Sequence, residues 1–196
     1  MTHGVEMIVN SDALTHLMMM DDNSVDMIFT SPPFKEEDID GDYWLFYDTF
    51  FKEAIRVTSK IVCIIHSSTK MNAIITKYPP KRTLIWGKGI SQYSYRYNPI
   101  FCYQISDSYK INKFIWCDVF GVQSVTGKWK VHKYQDPLVL YETIIKMFKD
   151  CNSVLDPFMG SCTTGVACKI LGKEFTGIDI DPECCKLGEQ RIKDGK

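Results

Sequence analysis

The chain has 196 residues, a length that fits one domain. Hydrophobic residues make up 45% and charged residues 24%, a globular composition that excludes an intrinsically disordered chain. The net charge of -1 does not mark the whole chain as a polyanion-binding protein, and we find neither an apolar run of membrane-spanning length nor a signal peptide.

Eight cysteines and four histidines are scattered along the chain, and no two cysteines form a Cys-x-x-Cys pair. This spacing does not indicate a zinc site, so we expect no metal. Without a secretory signal, we expect reduced thiols in an intracellular protein with no membrane association.

Hydrophobic patterning predicts strands that alternate with helices along the chain. The predicted strands are 7–9, 25–30, 60–66, 83–86, 100–105, 153–155 and 175–180. The predicted helices are 43–57, 138–148, 164–171 and 182–192, and 12–20 is predicted as a short helix or a turn. This alternation predicts a single α/β domain with a parallel or mixed sheet, in which 154–180 form a strand-helix-strand unit of the nucleotide-binding type. Gly172 is predicted to end a helix.

A short motif, Ser31-Pro32-Pro33-Phe34, follows the predicted strand 25–30. An exocyclic amino group on a base is a poor nucleophile because its lone pair is delocalised into the ring. The Ser31 hydroxyl and the Pro32 carbonyl could accept hydrogen bonds from such a group, while the prolines stiffen the backbone and add no N–H donor. Phe34 offers a flat face for a base turned out of a duplex. A plain β-turn is the alternative interpretation.

A second motif lies between the predicted strand 153–155 and the predicted helix 164–171, and it ends in Gly160 and Ser161. Small residues there let the backbone approach a ligand closely, and Thr163 or Thr164 could cap the helix. Asp179 ends the next strand, where an acid can accept hydrogen bonds from ribose hydroxyls. Capping of the last helix is the alternative role for Asp179, and we favour it for Asp181.

The two motifs in this order resemble the β-class, circularly permuted DNA amino-methyltransferases. The family pattern Asp-Pro-Phe-x-Gly-Ser-Gly-Thr-Thr matches residues 156–164, except that Cys162 replaces the second glycine. Cysteine disfavours positive φ, so we expect an altered turn and weaker cofactor binding. In the family stretch His-Pro-x-Gln-Lys-Pro-Leu, Lys133 and Asp136 depart from the pattern at residues 132–138.

The resemblance implies an α/β fold of Rossmann-like type, with a mostly parallel sheet, helices on both faces and a circularly permuted motif order. The same resemblance implies S-adenosylmethionine as the cofactor and double-stranded DNA as the substrate. It also implies two sets of site residues. The catalytic set is Ser31, Pro32, Pro33 and Phe34, and the cofactor set is Asp12, His132, Pro137, Asp156, Pro157, Phe158, Gly160, Ser161, Thr163, Thr164 and Asp179. In this family Ser-Pro-Pro accompanies cytosine N4 targets more often than adenine N6 targets, so we favour N4 of cytosine and keep N6 of adenine as the alternative.

Residues 106–130 form a candidate DNA-recognition insert between a catalytic half, 1–105, and a cofactor-binding half, 131–196. Basic residues dominate from Lys77 to Lys133, and aromatic residues accompany them. The candidate DNA contacts are Lys88, Arg96, Lys128 and Lys130, with Tyr93, Tyr95, Tyr97, Trp116 and Trp129. Such a short insert suggests lax specificity or help from a second subunit in a homodimer. The acidic loop 36–42 follows the first motif, and we expect it to act as a lid.

Two other functions stay open at this point. Polar-Pro-Pro-aromatic motifs also occur in methyltransferases that act on RNA or on a protein glutamine, although the permuted order argues against them. A non-enzymatic relic that binds a nucleoside or DNA is the third reading, with Cys162 and Asp136 as signs of decay. The intact first motif argues against that reading.

Overall fold

The computed structural model describes residues 6–39, 41–91, 94–106 and 117–195. Within these residues, eight strands form one sheet around which six helices pack. The strands are β1 (Glu6–Asn10), β2 (Val25–Thr30), β3 (Thr58–Ile65), β4 (Arg82–Ser91), β5 (Ser94–Gln104), β6 (Val119–Gly121), β7 (Ser153–Asp156) and β8 (Glu174–Asp179). The helices are α1 (Ala13–Met19), α2 (Tyr43–Val57), α3 (Met71–Lys77), α4 (Leu138–Met147), α5 (Thr163–Leu171) and α6 (Pro182–Asp194).

The strand order across the sheet is β1-β8-β7-β2-β3-β5-β4-β6. Neighbouring strands from β1 to β3 are parallel, β5 is antiparallel to both β3 and β4, and β6 is parallel to β4. The strands that precede the two sequence motifs, β2 and β7, are direct neighbours. Parallel neighbours end at the same edge of a sheet, so this order brings the two motifs together.

Successive residues of the central strands face two separate cores. In β2, Met27 and Phe29 belong to one buried cluster and Ile28 belongs to the other. The first cluster includes residues of α4, α5 and α6, and the second includes residues of α1, α2 and α3. Because side chains alternate across a strand, each face of the sheet receives its own layer of helices. The predicted mostly parallel sheet with helices on both faces is confirmed.

Short polar side chains and glycines set the ends of several helices. Asp42 accepts a hydrogen bond from the Leu45 amide at 2.8 Å and so caps α2. Asp181 caps α6 in the same way, with Pro182 as its first residue. Gly172 has φ +64° and ends α5, as the sequence predicts.

The structure also contains elements that the sequence patterns do not predict. Helix α3 presents a single fully buried residue, Ile74, so its apolar periodicity is too weak to read. The sequence patterns predict no strand or helix in 106–130, yet β6 joins the sheet edge through β4 and a 3₁₀ turn covers Gly127–Trp129. Strands β4 and β5 are longer than predicted. Among the described residues, no helix is long and apolar enough to cross a membrane.

Candidate active site

A cavity of about 890 Å³ opens at the carboxyl edge of the parallel strands. Nearly all the residues that the sequence singles out line it: Asp12, Ser31, Pro32, Pro33, Phe34, Lys88, Lys130, His132, Asp156, Pro157, Phe158, Gly160, Ser161, Thr163, Thr164 and Asp179. The size lies within the range of small-molecule and cofactor sites. Two motifs that are more than a hundred residues apart therefore share one cavity.

Two of the expected residues with described side chains do not line this cavity. Pro137 is buried and precedes the first residue of α4, and Lys128 lies on the exposed 3₁₀ turn. Arg96 lies in β5, but its side chain is outside the described part of the chain. Of the expected aromatic contacts, Tyr93 and Trp116 also lie outside the described residues.

The buried Asp156 carboxylate joins the two motifs. It accepts hydrogen bonds from the Thr30 hydroxyl at 2.7 Å, the Thr164 hydroxyl at 2.5 Å and the Phe158 amide at 3.2 Å. Burial raises the pKa of Asp156 to about 6, although these three donors oppose that shift. Because Thr30 immediately precedes Ser31, the carboxylate fixes the start of the Ser31 motif against the second turn.

Asp179 organises the glycine turn. Its carboxylate accepts the Gly160 amide at 2.8 Å on one oxygen and the Asp181 amide at 2.9 Å on the other. Gly160 has φ +44°, and a Cβ there would lie 3.6 Å from the His132 ring. Each carboxylate oxygen keeps further acceptor capacity, and the residue lines the cavity. The turn and the acid thus fit the sugar of a nucleoside cofactor.

Cys162 stands where the family pattern has its second glycine, and its backbone is in a conformation that favours glycine. Its φ of +59° and ψ of 33° lie in the left-handed region, and the residue caps α5 through its backbone. The side chain is fully buried, and a Cβ on Gly165 would meet its sulfur at 2.6 Å. Helix α5 therefore begins at Thr163 with Cys162 as its N-cap, so the predicted cap at Thr163 or Thr164 is wrong. Cysteine takes this position in a conformation that L-residues disfavour.

The Ser31 motif presents both polar and aromatic groups to the cavity. Ser31 is half-buried, Pro32 is buried, and the partly exposed Phe34 ring lies 4.9 Å from the His66 ring, centroid to centroid. Lys35 and Ile39 of the following loop also line the cavity. Residue 40 of that loop is outside the described part of the chain.

The sequence analysis missed several cavity residues. Asn98 and Tyr141 lie in β5 and α4 and belong to no motif, so only the tertiary structure reveals them. Tyr141 donates a hydrogen bond to Asp136 at 2.9 Å. Burial raises the pKa of the Asp136 carboxyl, and the nearby charges of Lys88 and Lys130 oppose the shift. The sequence signal that could have pointed to this Tyr141–Asp136 pair is the departure of Asp136 from the family pattern.

His132 packs beside the glycine turn. Its Nδ1 accepts the Tyr134 amide at 3.3 Å, and its Nε2 lies 3.7 Å from the Cys184 sulfur. Burial lowers the pKa of His132, while Asp179 and Asp181 oppose that shift. Within the described ranges, histidine, cysteine and acidic side chains do not gather in groups of three that could hold a metal ion.

Comparison with known proteins gives a family and a fold. Residues 25–190 match the N6_N4_Mtase family model, described as DNA methylase. The chain is 34% identical over 116 residues to the type II methyltransferase M2.LlaDCHI of Lactococcus lactis subsp. cremoris. The aligned stretch covers 58% of this chain and 42% of that protein. It is 27% identical, over 94% of this chain and 82% of the relative, to the DNA adenine methyltransferase YhdJ of Escherichia coli K12.

Two solved structures share the fold. The M1.HpyAVI–SAM complex superposes with a TM-score of 0.76 at 23% identity, covering 96% of this chain and 99% of that one. The PvuII DNA methyltransferase (cytosine-N4-specific) superposes with a TM-score of 0.80 at 15% identity, covering 99% and 92%. The chain thus spans nearly all of these two structures, but only about two fifths of the Lactococcus relative.

Proposed function

Because the chain belongs to the N6/N4 DNA methylase family, we propose that it transfers a methyl group from S-adenosylmethionine to the exocyclic amino group of a base in double-stranded DNA. The observation that carries this proposal is the single cavity lined by Ser31, Phe34, Gly160 and Asp179. The order of the two motifs supports assignment to the β-class, circularly permuted branch.

The cofactor-binding residues are those of the second motif and its surroundings. Asp179 accepts hydrogen bonds from the ribose hydroxyls of the cofactor, Gly160 lets the backbone approach the cofactor closely, and Asp12 contacts its adenine. The remaining members of the set are His132, Pro137, Asp156, Pro157, Phe158, Ser161, Thr163 and Thr164. When bound, S-adenosylmethionine supplies a methyl group already activated on a sulfonium, so the protein needs to position the amino group more than to deprotonate it strongly.

The catalytic residues hold the amino group and its base. The Ser31 hydroxyl and the Pro32 carbonyl accept hydrogen bonds from the two N–H groups and draw the nitrogen towards tetrahedral geometry. The Pro32-Pro33 backbone is stiff and donates no competing N–H bond from these two residues. Phe34 stacks on the base after it has left the duplex. Lys35 and Ile39, which line the cavity, support the expected role of the loop after Phe34 as a lid.

The target we favour is N4 of cytosine, because the motif reads Ser-Pro-Pro. N6 of adenine is the alternative. Similar proteins include YhdJ, named as an adenine methyltransferase, and the PvuII enzyme, named as cytosine-N4-specific. The basic residues Lys88, Arg96, Lys128 and Lys130 contact phosphates, and a second copy of the chain completes the DNA-binding surface in a homodimer. Activity on DNA places the protein inside the cell.

Identification of the methylated product tests the proposal directly. The protein is incubated with labelled S-adenosylmethionine and, separately, with unmethylated duplex DNA, RNA or an unmodified protein extract. Label in the DNA, recovered after digestion as N4-methylcytidine or N6-methyladenosine deoxynucleosides, supports the function and decides the base. Label only in RNA or protein supports the competing methyltransferase assignment, and cofactor binding without any transfer supports a non-enzymatic protein.

A further inference from the structure

The His66 ring packs against the Phe34 ring. His66 follows the last residue of β3, is fully buried, and its ring centroid is 4.9 Å from that of Phe34 with a 36° angle between the planes. The Tyr47 ring packs against the His66 ring in a T-shaped arrangement, with 5.6 Å between the ring centroids. The imidazole therefore forms part of the surface against which the Phe34 ring rests.

Hydrogen bonds at both nitrogens fix the plane of this imidazole. Nδ1 accepts the Ser67 amide at 2.7 Å, so that nitrogen carries no proton. In the neutral ring Nε2 then carries the hydrogen and donates it to the Tyr43 hydroxyl at 2.7 Å. Burial lowers the pKa of His66 to about 4, aided by the charge of Lys70, so the ring is neutral near pH 7.

The same contacts hold the chain just beyond Phe34. Tyr43 begins α2, and the Lys70 ammonium lies 4.2 Å from the centre of its ring. Lys70 also bonds the Glu36 carboxylate at 3.0 Å. Phe34 and Glu36, two residues apart, are thus held by His66, which follows β3, and by Lys70, which precedes α3.

We propose that His66 is a positioning residue, which holds the Phe34 ring at the angle needed to stack on the extruded base. This role rests on the proposed function. It explains why a hydrogen-bonded imidazole occupies a buried place that an aliphatic side chain could fill. A leucine would fill similar space, but it has no plane and no bond to Ser67 or Tyr43, so the Phe34 ring would lose its fixed support.

The first experiment measures Phe34 without any substrate. 4-Fluorophenylalanine is placed at position 34, and fluorine NMR spectra are compared for the parent, His66→Leu, Tyr43→Phe and the control Phe101→Leu. Phe101 is fully buried in the cluster that also contains Tyr43 and Tyr47, so this control removes core packing and leaves the His66 hydrogen bonds in place. We expect one narrow resonance for the parent and the control, and a shifted or broadened one for His66→Leu. An unchanged resonance in His66→Leu overturns the proposal.

The second experiment measures methyl transfer to unmethylated duplex DNA. We expect His66→Leu to lower kcat/KM roughly ten- to a hundredfold, the scale of small misplacements, with cofactor affinity unchanged. In a Phe34→Ala background the same change should have no further effect, because the ring that His66 holds is gone. Losses that multiply in the double variant would show that His66 acts independently of Phe34 and would overturn the proposal.

Tyr43→Phe keeps the test decisive if His66→Leu does not fold, because it removes only the hydroxyl that accepts the Nε2 bond. It should give a smaller change in both readouts, and a parent-like result in both would overturn the proposal. A parent that transfers no methyl to DNA would contradict the proposed function. The fluorine spectra would still show whether His66 holds Phe34.

Discussion

The Asp156 carboxylate shows how one residue can hold two distant motifs in register. Its bonds to Thr30 and Thr164 link the end of β2 to the start of α5. The motif pattern assigns Asp156 to the cofactor turn alone. In the folded chain it also fixes the residue next to Ser31, so its loss should disturb the catalytic and the cofactor-binding residues together.

Ser31→Ala should slow methyl transfer about a hundredfold while leaving cofactor affinity unchanged. In the proposed mechanism the hydroxyl meets the amino group only after base extrusion, and its hydrogen bond strengthens as the nitrogen gains positive charge, so the loss should appear in kcat. By analogy with oxyanion-hole deletions the cost is on the order of 2–4 kcal/mol. Single-turnover transfer and calorimetry measure the two effects. Transfer at the parent rate would show that the motif is only a turn.

Asp179→Ala should weaken S-adenosylmethionine binding by roughly 1–3 kcal/mol, because it removes an acceptor and releases the Gly160 amide. Asp181→Ala is the matched control. It removes the cap of α6, which should cost about 1 kcal/mol of folding free energy while changing affinity far less. Calorimetric titration and urea unfolding measure the two quantities. Equal affinity in a folded Asp179→Ala protein would remove Asp179 from the site.

Two substitutions at Cys162 separate backbone strain from side-chain packing. Cys162→Ala keeps the left-handed strain and loses the thiol, whereas Cys162→Gly also relieves the strain. Glycine should relieve roughly 1–2 kcal/mol of backbone strain. Because glycine also makes the unfolded chain more flexible, the net gain in the free energy of unfolding over Cys162→Ala should be about 1 kcal/mol. Urea unfolding of both variants measures the difference. An alanine variant as stable as the glycine variant would show that position 162 stores no strain.

At the level of elements, the adjacency of β2 and β7 creates the cavity. Each strand delivers its motif at its carboxyl end, where loops lie free of the sheet. The antiparallel β5 extends the wall with Asn98, and β4 brings in Lys88, whose ammonium lies 4.3 Å from the centre of the Trp86 ring. Lys88 thereby enters the same wall as the Ser31 motif.

The 3₁₀ turn at Gly127–Trp129 and the residue after it should supply part of the phosphate affinity. Replacing Lys128 and Lys130 by glutamine should lower the slope of log affinity against log salt by about 2, since each neutralised phosphate contributes roughly 0.9. Lys52→Gln with Lys193→Gln is the control pair, on exposed positions of α2 and α6 away from the cavity. Fluorescence anisotropy on nonspecific duplex gives the slopes. Equal slopes for both pairs would count against the turn.

For the whole molecule, burial of His66 couples stability to pH. Its folded pKa of about 4 lies below the usual 6.5, so the unfolded chain takes up a proton first as the pH falls. Stability should therefore drop between pH 6.5 and 4, by about 3 kcal/mol from this group. Asp156 acts in the opposite sense, because its raised pKa stabilises the fold as the pH falls from about 6.

The difference between parent and His66→Leu isolates the histidine, since Asp156 is common to both. Urea unfolding at pH 7 and at pH 4.5 should show a smaller loss of stability on acidification for His66→Leu than for the parent. The Phe101→Leu control should lose as much as the parent. The same loss in all three proteins would mean that His66 titrates normally.

The sequence by itself determined the fold class, the approximate positions of most strands and helices, and the residues of the two motifs. It could do so because alternation of apolar residues, capping residues and glycine turns are local properties, visible within a few positions. The cap at Asp181 and the helix end at Gly172 are examples. The short elements α3 and β6 escaped because neither carries enough buried residues to create a pattern.

Only the tertiary structure decided which side chains complete the cavity and what holds the motif residues. Asn98, Tyr141 and His66 come from β5, α4 and the end of β3, and no local pattern marks them as neighbours of Ser31 or Phe34. Their proximity follows from strand order and from the alternation of side chains across the sheet. Both arise from packing over the whole chain, because the order of strands in a sheet is set by long-range burial and not by the residues within each strand.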